Sequence, residues 1–211
     1  MLNLNRRIAR VIPFFTAIRI KQTKPNPIPV LDKSLIAIMV LLVAQAIAQF
    51  MPTLLEQILL FAAAALHFVR WSRWFPHKTL AEPMLWSLQL SYLLLPITLF
   101  LLAWNIHDEM AYRHLLHLFA IGTLAGICLS MISRVSLGHT SRNIYQGPNM
   151  IVAFACLPIA AILRAVMPIW LPEFYQTWLW LAGGLWSLAF GLFVVNYAAI
   201  LSKPRIDGRP G

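Results

Sequence analysis

The sequence predicts an all-α fold: a polytopic membrane helix bundle of about six transmembrane helices, with its N- and C-termini on the cytoplasmic side. Three observations lead there. Of the 211 residues, 60% are apolar and only 11% are charged, against about 25% charged in a typical soluble domain. A bilayer core needs roughly 20 consecutive apolar residues per spanning helix. The chain supplies six such runs, at Leu35–Phe50, Leu54–Val69, Met84–Trp104, Leu115–Met131, Met150–Met167 and Trp178–Leu201. The basic residues gather in alternate connections between those runs.

Residues 1–33 form a basic segment carrying Arg6, Arg7, Arg10, Arg19, Lys21, Lys24 and Lys33. Within it, residues 6–20 read as an apolar, basic stretch that lies on the membrane surface. KPNPIP at 24–29 reads as a stiff, extended linker. The segment is too long for a signal-peptide n-region, and five further apolar runs follow the first, so cleavage is not expected. Residues 34–202 form the membrane domain, whose first run is the shortest for a span. The second loop holds Arg70, Arg73 and Lys78, the fourth Arg134 and Arg142, and the tail at 203–211 Lys203, Arg205 and Arg209. Basic loops stay in the cytoplasm, and an odd number of spans would break this alternation. The other side holds Arg113, Arg164 and most of the acidic Glu56, Asp108, Glu109 and Glu173. The formal charge of +10 is therefore topological and gives no reason to expect nucleic acid; the partner is the lipid bilayer. No stretch alternates with period two as a β-barrel strand would.

Ionisable groups inside spans are costly, so each is a functional candidate. His67 lies near the cytoplasmic end of the second run, with His77 and His139 in cytoplasmic loops; His107, His114 and His117 lie at the opposite face. A neutral imidazole ligates haem iron, copper or zinc; an interfacial histidine bonded to water or a headgroup is the plainer reading. His114 and His117 are three apart and share one side of a helix. In the fourth run, Gly122, Gly126 and Ser130 form a small-residue ridge that lets another helix approach. Leu124, Cys128 and Met131 lie under His117 on another side, which places that imidazole toward the bundle. A similar ridge runs through Gly183, Ser187 and Gly191. Trp71, Trp74, Trp86, Trp104, Trp170 and Tyr175 sit near span ends, as an interfacial belt does. Cys128 and Cys156 fall mid-span and read as packing residues. Arg134 either snorkels to the interface or pairs with a carboxylate such as a haem propionate. His139, after Gly138, either caps a helix or folds back as a ligand.

The segment Arg134–Arg142 (RVSLGHTSR), with His117 upstream, resembles the signature of the NnrS family of membrane proteins. PRIDGRPG at 204–211 is similar to that family's C-terminus, and RVIPFFT at 10–16 to its central motif. WSRWFPHKTLAEPMLW at 71–86 resembles a loop between two later spans, with His67 just upstream. The resemblance implies a haem- and copper-containing multi-pass protein of the bacterial inner membrane, linked to nitric oxide metabolism and resistance to nitrosative stress, often beside denitrification genes. It carries His67, His117, Arg134 and His139 over as cofactor-binding residues, with His67, His114, His117 and His139 as the metal candidates.

Two departures shape the expectation. Family members are usually about twice as long, so this chain corresponds to their C-terminal half: a second polypeptide supplies the rest, the chain is a truncated product, or this version works differently, and a homo-oligomer is the other partner open to it. Gln89 stands where the family often has histidine, so one ligand position is lost or becomes a hydrogen bond; IAR at 8–10 stands where paired glycine usually precedes the arginine. Two functions follow: a haem/copper protein meeting nitric oxide or iron–nitrosyl species, or a non-catalytic component, a transporter half or scaffold that pairs with another multi-span chain.

Overall fold

The computed structural model describes residues 12–21 and 25–208, and the described residues contain helices and no strand. A short helix α1 covers 12–20. Six helices long and apolar enough to cross a membrane follow: α2 (Pro29–Ala48), α3 (Thr53–Ser72), α4 (Pro83–Trp104), α5 (Glu109–His139), α6 (Ile151–Trp170) and α7, which runs Tyr175–Leu201 behind a 3-10 turn at Pro172–Phe174. The six expected spans are all present. The first is longer than its apolar run, because Pro29 starts it at a position where the missing N–H costs nothing, and the helix takes in Asp32 and Lys33.

Helix α4 is the centre: 61% of its spanning window is buried, against 11% for α2 and for α7. It packs on α3 and α5, α6 packs on α5 and α7, and α2 leans on α3. Without a strong hydrophobic drive inside lipid, association relies on close packing and polar contacts. The α2–α3 hairpin is pinned in this way at both ends. At one end Arg70 pairs with Asp32; at the other Gln45 donates to Glu56 Oε2 at 2.8 Å and accepts from Met51 N–H at 2.8 Å.

The ridge on α5 behaves as expected. A Cβ at Gly126 would fall on Ser91 Oγ, one at Gly122 would come within 2.5 Å of Leu94 Cδ1 and 3.2 Å of Ala161 Cβ, and Ser130 Oγ donates to Ser87 Oγ at 2.9 Å. The α7 ridge does not pack within the chain. A Cβ at Gly183 or Gly191 meets nothing within 4 Å; α7 instead buries Ala182, Ala189 and Tyr197. Gly191→Leu is therefore expected to leave the melting temperature in detergent within about 1–2 °C of the parent.

One feature was not legible in the sequence. The first turns of α5 lead into a π-helical segment, Leu118–Ala125. Pro96 and Pro158 lie inside α4 and α6, and each deprives the carbonyl four residues earlier of its partner.

Candidate functional site

Four segments far apart in sequence meet at one end of the bundle. Over 12–20 helix α1 docks on the bundle, burying Ile12, Thr16 and Ala17 and leaving Phe14 and Ile18 exposed. Residues 6–11 of the expected surface stretch lie outside the described residues. Ile12 joins Trp74, Leu88 and Tyr92 in one apolar cluster. Thr16 Oγ1 accepts from Gln89 Nε2 at 3.2 Å, Phe15 lies over Arg134, and Arg19 pairs with Glu82 at the start of α4. The tail closes the same end: Arg205 Nη2 donates to Ser141 Oγ at 2.9 Å and Arg142 Nη1 to the Ile200 carbonyl at 3.4 Å. The basic connections thus share one end, as an even number of spans requires.

Under this roof sits a buried polar row. His67, 1% exposed, brings Nδ1 to 2.8 Å from Tyr92 Oη, while its Nε2 is buried with no partner. With the proton on Nδ1, that nitrogen donates to Tyr92 and the Nε2 lone pair is free. Tyr92 is held in turn by Trp74, whose ring lies 4.6 Å away. Trp74 is therefore core and no part of an interfacial belt. Phe75 turns the chain there with φ 54°, a left-handed value rare for a bulky residue. One turn beyond His67, Arg70 is buried, bonded through Nη2 to Asp32 with Nε unpartnered. Asp32→Ala is expected to cost about 1–3 kcal/mol in detergent unfolding, discounted because the carboxyl is partly exposed. Arg70→Met should cost less, since it leaves no buried charge behind; equal losses would show the pair to be incidental.

Gln89 resolves as a hydrogen bond. It is 3% exposed, donates to Thr16 and to the Trp74 carbonyl (3.4 Å), and keeps Oε1 buried without a partner. Arg134 does not snorkel: it is 2% exposed, with Nη2 donating to the Met84 carbonyl at 3.1 Å and Nε and Nη1 unpartnered.

The other histidines stand apart from this row. His117 does not face into the bundle; it is half-buried, with Nδ1 3.3 Å from the carbonyl of Arg113 in its own helix. Leu124 and Cys128, on the same side, are exposed. The physical reason is the ridge: α4 and α6 draw Gly122 and Gly126 inward, which turns the opposite face of α5 outward. His114 Nδ1 lies 3.2 Å from Arg164 Nη1, which occupies that nitrogen. His139 is exposed at the end of α5 and does not fold back. Cys156 is buried and Cys128 exposed, and both are free. No group of three His, Cys, Asp or Glu gathers among the described residues. A three-residue metal centre is thus not assembled by them; His114 and His117 are close enough to interact, and His67 offers one buried imidazole.

Spans, lipid-facing apolar surface and a roofed polar row define a polytopic helical membrane protein with a candidate site at its basic end. The comparisons narrow the class. A family model described as NnrS protein matches residues 7–205, nearly the whole chain, and the chain belongs to that family, which is linked to nitric-oxide-related function. Neither the curated proteins nor the solved structures yield a match.

Proposed function

We propose that this chain is a haem-binding protein of the bacterial inner membrane that takes part in nitric oxide metabolism or resistance to nitrosative stress, with His67 supplying an axial nitrogen. The observation that carries the reading is the buried, unpartnered Nε2 of His67, fixed from behind by Tyr92. A buried polar atom without a partner is uncommon and calls for an occupant. Metal-bound histidine characteristically donates its other ring N–H to a supporting group, and Tyr92 is placed to accept it. When bound, haem would supply a one-electron couple and a site for a diatomic ligand. The chain's own residues do the rest. Tyr92 holds the ring orientation, Trp74 packs Tyr92, and α1 with Ile12 and Thr16 keeps water from the row. The basic end is read as cytoplasmic by the positive-inside rule. Copper, which the family resemblance also implies, would need ligands beyond His67, and His114 with His117 is the pair that could offer part of them.

The test is haem and metal analysis of the full chain purified from membranes, alone and with any separately encoded partner. Haem near one per chain is expected; colourless protein in both states would overturn the reading.

One observation favours a second reading, a non-catalytic component that pairs with a second copy or another multi-span chain: the open Gly183–Ser187–Gly191 face of α7. Cross-linking in membranes, lost on Gly183→Leu with Gly191→Leu, is the outcome it requires.

A further inference from the structure

Arg134 is the largest fully buried side chain among the described residues. Its surroundings leave it incomplete. Nη2 has the Met84 carbonyl, the Phe15 ring covers the guanidinium with its centroid 4.2 Å away, and the Tyr145 hydroxyl interacts with it as a hydrogen-bonding neighbour. The carboxylate nearby, Glu82, is engaged by Arg19, which itself lies over the Tyr145 ring at 4.6 Å. No ion pair forms on Arg134 among the described residues, and Nε and Nη1 have no acceptor.

We propose that Arg134 is the receptor for an oxyanion carried on an apolar body, a carboxylate or a phosphate monoester, bound beneath α1. Arginine stays charged in proteins, and a desolvated charge without a counter-ion is strongly unfavourable. Its planar fork matches carboxylate and phosphate oxygens. The Phe15 ring covers the guanidinium and Met84 is buried beside it, with Tyr145 the polar neighbour; that apolar cover suits an amphiphile better than a hydrated ion. The chemistry has two sources, a cofactor carboxylate or a lipid phosphate. Met84 and Tyr92 are eight residues apart on α4, which spans about 12 Å along a helix, and α1 roofs both positions. The inference does not depend on the haem reading.

The test uses the full chain in neutral maltoside detergent, depleted of lipid and checked by native mass spectrometry for residual anionic adducts. Melting is followed during titration with laurate, dodecyl phosphate and inorganic phosphate. One or both amphiphiles should raise the melting temperature, inorganic phosphate should not, and Arg134→Gln should weaken the effective amphiphile by about tenfold or more, one charge-assisted contact. Should Arg134→Gln not fold, Arg134→Lys, which keeps the charge and loses the fork, should weaken laurate in the same direction. Preference for laurate assigns a carboxylate source, and preference for dodecyl phosphate a lipid headgroup. The same shift in His67→Ala shows the site to be independent of haem. Adduct-free protein that responds to neither amphiphile, or an Arg134 variant that responds like the parent, overturns the proposal.

Discussion

His67→Ala is expected to abolish haem binding, leaving membrane-purified protein without a Soret band. The substitution removes the single unpartnered imidazole nitrogen under α1, and no second histidine lies within the row to replace it: His114, His117 and His139 sit on other faces or at the far end of α5. Tyr92→Phe serves as the graded companion. It keeps the ring and the packing against Trp74 but deletes the group that fixes Nδ1. Outer-shell partners of metal-bound histidines typically contribute 10- to 100-fold in affinity, so haem should be retained more weakly and its spectrum shifted. The stability costs run differently. His67→Ala leaves the Tyr92 hydroxyl with Arg70 as its polar neighbour, whereas Tyr92→Phe strands Nδ1 at a cost of about 1–3 kcal/mol. Titrating hemin into both variants separates the effects: equal haem loss at equal instability would mean that the loss is only structural. Full haem content in His67→Ala, with an unmoved Soret maximum, would remove His67 as the ligand. His117→Ala is the matched control, and it should leave the spectrum unchanged because its ring is engaged by its own helix.

Gly126→Leu is expected to be the most destabilising single change in the bundle. Its Cβ would fall on Ser91 Oγ, with Ser91 Cβ at 3.0 Å, so two backbones must separate. That separation also breaks the Ser130–Ser87 hydrogen bond one turn away. Overpacking of this kind costs about 1–3 kcal/mol, occasionally more, and the lost polar contact adds to it. The melting temperature in detergent should fall by roughly 5–12 °C. The same substitution at Gly191, where a Cβ meets nothing, should fall within the error of the measurement. Equal effects at the two glycines would mean that the α4–α5 contact is not the structural seam.

Much of the fold was legible in the sequence. Six apolar runs gave six spans, and the alternation of basic loops matched the end at which α1, the second and fourth loops and the tail meet. Both signals are local, since length and hydropathy decide whether a helix can span and flanking charge decides which end stays out. The small residues on α5 were also read correctly as packing. Their counterparts on α7 were not distinguishable from them, because a glycine ridge looks the same whether or not a helix fills it.

The candidate site was legible in its residue types and not in its grouping. His67 and His117 stood out as ionisable groups inside apolar runs, ahead of His114 at a run's edge and of Arg134 and His139 in the fourth loop. Nothing in the sequence separated His67 from His117. The tertiary structure made the selection. Packing of Gly122 and Gly126 against α4 and α6 rotated His117 outward. Docking of α1 sealed Arg134 beneath Phe15 and turned Gln89 into a hydrogen-bonding partner of Thr16. By itself, then, the sequence determined a six-span helical protein with a basic end and a family resemblance distributed over four separate segments. Only the tertiary structure decided that those segments converge and that a single histidine keeps a free, buried nitrogen. The reason is that burial belongs to pairs of faces: hydropathy fixes whether a helix crosses the membrane, while close contact between particular helices fixes which of its side chains lose water.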